Sequence, residues 1–501
     1  MYSLGPFLYY SWQYARLAIQ GYDYYVEWKR TGAHPPERFH SLLQTVHRCG
    51  AVASKFVQWF TPKLELMAID ESEFFRDSYE ERKPPWLRTL GTMYETCPEH
   101  SLDHTYREYQ RVFRERLTDR YELLEVIGSG SIGQVYRVRD IRTQKIYVLK
   151  ILHPEIQDQI STFQWWIWVL SKLPWIQTYF QQTIFNVHDF IRDFQMQSDL
   201  LHEANHLMTF RQAYPDNPLI LIPELYQISS SILLMEYIPG TSFEASDLSF
   251  HRKSTLFAAF HMFVRSNAMF LNFNHGDLHP GNWKITPDHR LVIYDFGFCW
   301  SFPDALKDIV TLSIETLEGT SEDLKDETLD NISQMMVLLI EYPDTYDTDT
   351  IQREIWEYVK ESPYIGKSDI GFVVSPVTIL KLLNGFCITR HLKVVSHCVQ
   401  FLILLTQMQK NSVIFRFSSP TGYCYPPTKV YKERYVDCLN ICKTYDIFPE
   451  YTAYIQETLA SLQMERSTIF ETVEMPESIR QLALKFDLNR KDDTKQRLRS
   501  C

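Results

Sequence analysis

Residues 275–297 read HGDLHPGNWKITPDHRLVIYDFG. Two short apolar runs, Trp283–Thr286 and Leu291–Tyr294, flank Pro287-Asp288-His289-Arg290, which is turn chemistry. The pattern predicts a β-hairpin with polar clusters at both ends. Asp277 and Asn282 stand on the loop before its first strand, and Asp295 follows its second. Two carboxylates and one amide then converge on one side of the hairpin. Oxygen ligands of this kind suit Mg2+, which keeps several waters and shares its shell with phosphate oxygens. A bare hairpin with surface carboxylates would account for Asp-Phe-Gly alone. It does not account for HGDLHPGN at this distance before it.

The Asp-x-x-x-x-Asn spacing followed by Asp-Phe-Gly is the arrangement of a kinase active site. In that reading Asp277 is the catalytic-loop carboxylate, and Asn282 and Asp295 hold the metal. The chain upstream supplies the remaining parts. Tyr121–Val126 begins a strand, and Gly128-Ser129-Gly130-Ser131-Ile132-Gly133-Gln134-Val135 follows as GxGxxGxV. Its glycines let backbone amides approach phosphates. Val135–Val138 and Ile146–Lys150 continue as strands, and a strand–glycine loop–strand order argues against a dinucleotide fold. Val148-Leu149-Lys150 resembles the kinase strand whose lysine contacts the α- and β-phosphates. His188–Tyr214 reads as one long helix carrying Glu203, the expected partner of Lys150, with Asp199 one turn earlier. As ordinary surface charges these acids would need no partner. Ile232–Tyr237 is a strand that leads into Pro239-Gly240. Backbone groups near Glu236 and Ile238 are expected to bind adenine.

The rest of the chain is read more coarsely. Its 501 residues suffice for a two-lobed catalytic unit with appended helices, and 45% apolar with 23% charged residues is ordinary for a globular chain. A net charge of −11 and no long Lys/Arg run give no support for nucleic-acid binding. Nine scattered cysteines without a CxxC pair argue against a disulfide framework or zinc site. Neither a secretory leader nor a mitochondrial presequence is expected, because Arg16 is the first basic residue and Asp23 and Glu27 interrupt the first thirty. No segment has the ~18–20 apolar residues of a spanning helix; Val394–Leu405 reads instead as a buried helix. Trp165–Leu170 fits a lipid interface or an internal helix contact.

Residues 1–36 predict a helix and linker. Residues 37–60 show apolar positions at alternating spacings of four and three, an amphipathic helix with Lys55 and Gln58 on one flank. On physical grounds alone these two are solvated side chains. A helix is expected over roughly Asp103–Leu117, an aromatic helical insertion over 155–185, and helices over 252–274 and Asp304–Glu318. An acidic, turn-rich stretch around a short helix follows at 321–350, then helices over 351–412, a Pro-marked linker at 413–430 and a helical tail.

Together these motifs resemble the UbiB/aarF-domain-containing atypical kinase family, associated with ubiquinone biosynthesis. HGDLHPGN, the following Asp-Phe-Gly and Asp199–Asn205 carry the resemblance, which covers about residues 40–320. It implies an α+β, bilobal protein kinase-like fold with N-terminal signature helices and a helical C-terminal extension. The implied organisation is a helical extension over 1–118, an N-lobe and hinge over 119–240, a C-lobe over 241–412, and a linker and tail over 413–501. The family's signature helix carries Lys-x-Gly-Gln; here it reads Lys55-Phe56-Val57-Gln58. In the family this helix packs over the active site and blocks a protein substrate, its lysine pairing with the Glu of an ExD motif. At that motif this chain has Gln197-Ser198-Asp199. The family's nucleotide loop is usually Ala-rich, whereas this one is Gly-rich.

The resemblance implies ATP and Mg2+ as ligands and ATP hydrolysis in support of ubiquinone or isoprenoid-lipid metabolism, on a membrane and in mitochondria, beside ubiquinone-biosynthesis proteins. Lys150, Glu203 and Asp277 would be catalytic, Asn282 and Asp295 would hold the metal, and Lys55, Gln58 and Asp199 would be regulatory. No Ala-Pro-Glu follows Asp295-Phe296-Gly297, so an ordinary protein-kinase peptide site is not expected. Two alternatives stand: a small-molecule phosphotransferase of the aminoglycoside or choline kinase type, and a nucleotide-binding pseudokinase.

Overall fold

The computed structural model describes residues 4–68, 84–91, 99–172, 187–215, 217, 219–243, 245–248, 256, 259–260, 263–264, 266–302, 325–341, 347–362, 376–390, 392–395 and 399–404. The expected linker, the tail and the helix over Asp304–Glu318 lie outside these residues. So does most of the expected helix over 252–274; its described residues from 256 to 266 are helical, and a π-helical turn, Asn267–Leu271, closes it.

A five-stranded antiparallel sheet carries the nucleotide-loop motif. Its strands are β1 (Tyr121–Ser129), β2 (Gly133–Asp140), β3 (Ile146–Leu152), β5 (Leu225–Ile228) and β6 (Ile232–Glu236), in the order β1-β2-β3-β6-β5. Burial alternates along β1 and β2, whereas the central residues of β3 and β6 are buried on both faces. The strands bury Tyr121, Tyr136, Val138, Leu149, Ile151 and Leu234 against helix α5 (Leu102–Phe113), whose N-terminal amide at His104 is capped by the Ser101 hydroxyl.

Helices α1 (Leu4–Thr31), α2 (Pro36–Arg48) and α3 (Ala51–Ala68) come first among the described elements. A short α4 (Pro85–Gly91) follows them, and they pack with α6 (Ile156–Leu170) and α7 (Val187–Gln197) around Tyr14, Phe39, Val52, Phe163 and Phe194. The single helix expected over 37–60 is therefore two. Gly50 breaks it at φ +97°, a backbone conformation that costs a residue with a Cβ. The Ala51 amide that opens α3 is received by the Gln159 carboxamide of α6 at 2.7 Å.

The long helix expected over His188–Tyr214 is also two. α7 ends at Gln197 and α8 begins at Leu200 (Leu200–Ala213). Between them Asp199 is extended, its carboxylate capping the Leu201 amide at 3.0 Å, while the Leu200 amide bonds the Ser230 carbonyl at 2.9 Å. Tying the chain to the β5–β6 turn re-aims α8, and this turns Glu203 under the sheet. Periodicity missed both breaks because a capped interruption need not change which residues are apolar.

Beyond the sheet, β4 (Ile220–Leu221) pairs in parallel with β9 (Leu291–Ile293), which pairs with β8 (Trp283–Ile285); this is the expected hairpin, with His289 at φ +64° in its turn. β7 (Asn274–His275) pairs with β10 (Cys299–Trp300), so the chain just before and just after the polar motifs is clamped together. The largest core joins Val148, Leu233 and Met235 of the sheet to Phe210, Phe260, Trp283, Phe296 and Phe401. A separate helical core is built by α9 (Lys325–Leu339), α10 (Thr348–Glu361) and α11 (Pro376–Arg390), with a short β11 (Ile340–Glu341) and β12 (Lys393–Val394) pairing beside it. The stretch at 325–341 is thus mostly one helix, not a turn-rich loop. Residues 399–404 are helical, and of the apolar residues among them all but Ile403 are buried, as expected of that end of Val394–Leu405.

Candidate active site

Strand pairing sets Lys150 opposite Val135 on β2 and Leu233 on β6, with its amine inside the molecule. Glu203 lies in the first turn of α8, also buried. The Lys150 Nζ donates to Glu203 Oε1 at 2.9 Å and Oε2 at 2.7 Å, and to Asp295 Oδ1 at 3.3 Å. Burial opposes the charge on Lys150, but Asp295 and then Glu203 outweigh it and hold the amine protonated, above its usual range. Burial likewise pushes the Glu203 carboxyl up, with Lys150 opposing. Removing either partner would strand a buried charge, at a cost of about 3–5 kcal/mol.

Asp295 differs from these two. Its side chain is 48% exposed, at the edge of the ion pair. Its backbone sits at φ +53°, a left-handed conformation that Asp tolerates better than most residues. Desolvation in the cleft opposes ionisation of Asp295, yet Lys150 and Lys55 hold its carboxyl well below the usual carboxylate range. The strain is supported from both sides. Gly297 donates its amide to Asp295 Oδ1 at 3.2 Å, and Phe296 is buried against Phe210 and His275.

The loop that holds Asp277 is ordered by His275, which is buried and kept neutral by desolvation. Its Nε2 donates to the Tyr294 carbonyl at 3.2 Å, so its Nδ1 accepts the Asp277 amide at 3.2 Å. Asn282 Nδ2 donates to the Asp277 carbonyl at 2.8 Å, which leaves its amide oxygen to offer a ligand. Among the described residues no three His, Cys, Asp or Glu side chains gather as a metal cage. The donors available are carboxylates and one amide, few and hard. That set fits Mg2+, which takes its remaining ligands from water and phosphate, and does not fit zinc.

The glycine loop is a tight β1–β2 connection in which the Gly130 amide bonds the Gly133 carbonyl at 3.0 Å. Its three glycines do different work. A Cβ at Gly128 would meet nothing within 4 Å, and one at Gly130 would make only an ordinary contact. At Gly133 it would strike the Ile151 carbonyl oxygen of β3 at 2.6 Å. The loop is held from behind by His153, which bonds the Gly130 carbonyl through Nε2 at 2.9 Å. Ser131 is buried, and Ile132 packs against the core of the N-terminal helices. At the hinge segment, the Glu236 amide donates to Glu224 at 2.7 Å and the Ile238 carbonyl accepts the Tyr294 hydroxyl at 2.8 Å. Two of the backbone groups of Glu236 and Ile238 are thereby engaged within the protein.

Lys55 reaches the site from α3. Its Nζ lies 3.3 Å from Asp277 Oδ2. Lys55 therefore pairs with Asp277, not with the Gln197-Ser198-Asp199 segment. Burial would raise the Asp277 carboxyl; Lys55 and then His279 hold it below its usual range. Gln58 is buried on the same helix. Asp199 is spent on capping α8. Lys150, Glu203 and Asp295 are brought into direct contact, Asp277 and Asn282 share one loop, and Lys55 joins them. Sequence reasoning passed over His206, whose Nδ1 donates to the Phe296 carbonyl at 2.8 Å. Its signal was its place three residues after Glu203, on the same helical face.

The buried Lys150–Glu203 pair, with Asp295 beside it and Asp277 and Asn282 on the loop before the hairpin, defines a protein kinase-like site on an α+β fold. Residues 92–326 match the family model described as the ABC1 atypical kinase-like domain, and curated proteins named as UbiB and aarF-domain kinases are among those the chain resembles. The chain is 27% identical over 252 residues to the Dictyostelium discoideum "Probable serine/threonine-protein kinase abkC", covering 48% of this chain and 34% of that one. It is 23% identical over 287 residues to the Schizosaccharomyces pombe "ABC1 family protein C21C3.03, mitochondrial", covering 48% of this chain and 38% of that one. It is 26% identical over 178 residues to the "Probable protein kinase UbiB" of Cronobacter sakazakii, covering 32% and 31%. The chain thus spans about a third of the length of these curated relatives. Among the described residues no helix is long and apolar enough to cross a membrane.

Proposed function

We propose that the chain binds ATP with Mg2+ and hydrolyses it, as an atypical kinase-like ATPase serving ubiquinone or isoprenoid-lipid metabolism at a membrane. The observation that carries this reading is the assembled ion pair of Lys150 and Glu203 with Asp295 3.3 Å from the same amine. A kinase site needs that pair formed before it can align a triphosphate. In this reading 119–240 and 241–412 act as two lobes with the nucleotide between them, 1–118 is a regulatory extension, and 413–501 a linker and tail.

Lys150 orients the α- and β-phosphates as a fixed cation. Gly128, Ser129, Gly130, Ser131, Ile132, Gly133 and Val135 form the cover over the phosphates, and Glu236 and Ile238 frame the base. Asn282 and Asp295 hold Mg2+, which supplies charge neutralisation on the phosphate oxygens when bound. Asp277, kept ionised, orients the attacking hydroxyl or water. Catalysis rests on position and charge. Lys55 on Asp277 supports regulation by α3 with Gln58 beside it, and favours a small nucleophile such as water over a peptide. Asp199 contributes by setting the start of α8 and so the position of Glu203.

The test is Mg2+-dependent ATP hydrolysis by the purified full chain beside Asp295→Asn, with nucleotide binding followed in parallel. Turnover should require Mg2+ and fall by about 100-fold or more in the variant. Nucleotide binding without turnover in the unaltered chain would sink the ATPase reading.

A further inference from the structure

Helix α1 carries a continuous exposed apolar stripe. Leu4, Leu8, Trp12, Ile19, Tyr22 and Val26 recur at helical spacing along one face, and Trp12 and Tyr22 are 65% and 68% exposed. The opposite face is spent on folding: Tyr10 and Tyr14 are buried, and Tyr10 donates to Glu155 at 3.1 Å. At 1.5 Å per residue the helix is about 42 Å long. The patch continues onto α6, where Trp165 and Trp168 are exposed and Trp165 meets Phe7 of α1 edge-on at 5.5 Å.

Composition and charge identify what covers this face. It is rich in Trp and Tyr, side chains with an apolar body and a polar tip that favour the bilayer interface. The chain as a whole has a net charge of −11, yet of the exposed charged side chains on α1 three are cations (Arg16, Lys29 and Arg30) and one is an acid, Asp23. Lys172 adds a further cation beside Trp168, 5.2 Å from its ring. An apolar aromatic stripe rimmed by cations on an acidic protein is complementary to an anionic lipid surface. The helix is not apolar enough to span.

We infer that α1, with Trp165 and Trp168 of α6, lies flat in the headgroup region of an anionic bilayer and docks the protein there. The inference rests on the membrane setting proposed above and names the surface that makes it, independently of ATP chemistry. Vesicle flotation of the purified full chain without nucleotide tests it, while the hydrolysis assay tests the other reading separately. The chain should float with phosphatidylcholine vesicles containing about one-fifth phosphatidylglycerol and less with phosphatidylcholine alone. The triple variant Leu8→Ser, Trp12→Ser, Ile19→Ser should lose about 100-fold in partition coefficient with its thermal unfolding midpoint unchanged. Lys29→Glu with Arg30→Glu, both at exposed sites, should remove the preference for anionic vesicles. The inference is overturned if the unaltered chain does not float, or if the triple variant floats as well as it does. It is also overturned if the stripe substitutions only dissociate a dimer, or only lower the unfolding midpoint. Those outcomes would assign the face to a second copy or to the chain's own remaining residues.

Discussion

Lys55 and Asp277 are 222 positions apart and 3.3 Å apart in space. The consequence is a testable pH dependence. Burial raises the Asp277 carboxyl, and Lys55 is the largest influence bringing it down. A carboxyl held low stays ionised into acid, so a step that needs it ionised fails only when pH falls through that low value. Lys55→Ala removes the cation, lets the carboxyl rise, and should move the acid limb of the kcat/KM profile for ATP to higher pH, with the alkaline limb unmoved. An acid limb in the same place would mean that Asp277 ionisation does not limit the reaction. The roles proposed for Lys150, Asn282 and Asp295 rest on motif spacing, because each is bound to a short local pattern. The partner of Lys55 could not be read this way, because nothing in its own helix points to residue 277.

At the scale of elements, the glycine loop shows that one motif can contain positions with different physical reasons. Gly133→Ala drives a Cβ into the β3 backbone, which cannot yield as a side chain end would. It should cost about 1–3 kcal/mol in denaturant unfolding and weaken nucleotide binding through the displaced strand. Gly128→Ala has open space around it. It should leave stability within about 0.5 kcal/mol of the unaltered chain and raise the KM for ATP, because only a bound phosphate would meet the new methyl group. Equal destabilisation by both would contradict this division. The strands, the hairpin and the helical character of the flanks were legible from periodicity and turn residues. The breaks at Gly50 and at Ser198-Asp199 were not. They depend on Gln159 receiving the Ala51 amide and on Ser230 receiving that of Leu200, partners that only folding supplies.

At the scale of the molecule, the largest core takes Val148, Leu233 and Met235 from the sheet and Trp283 and Phe296 from beside the catalytic loop. A ligand held by Lys150 on one side and by Asn282 and Asp295 on the other binds only when both are in place. Mg2+ with ATP should therefore raise the thermal unfolding midpoint, by an amount equivalent to about 2.7 kcal/mol at a hundredfold excess over Kd. The gain should vanish in Lys150→Ala; a shift that survives that substitution would place the ligand elsewhere. The local patterns by themselves determined the kinase-like class, the hairpin and the identity of five polar residues at its centre. Spacing and alternation are properties of neighbouring residues, and these features are built from neighbours. Tertiary structure alone decided that α7 and α8 part at Asp199, the break through which Glu203 reaches the Lys150 it was expected to meet. It alone set Lys55 on Asp277, and it left one face of α1 apolar and exposed. Each of these depends on which distant surfaces pack together, and a helix's sequence shows that it has an apolar face without showing what that face will meet.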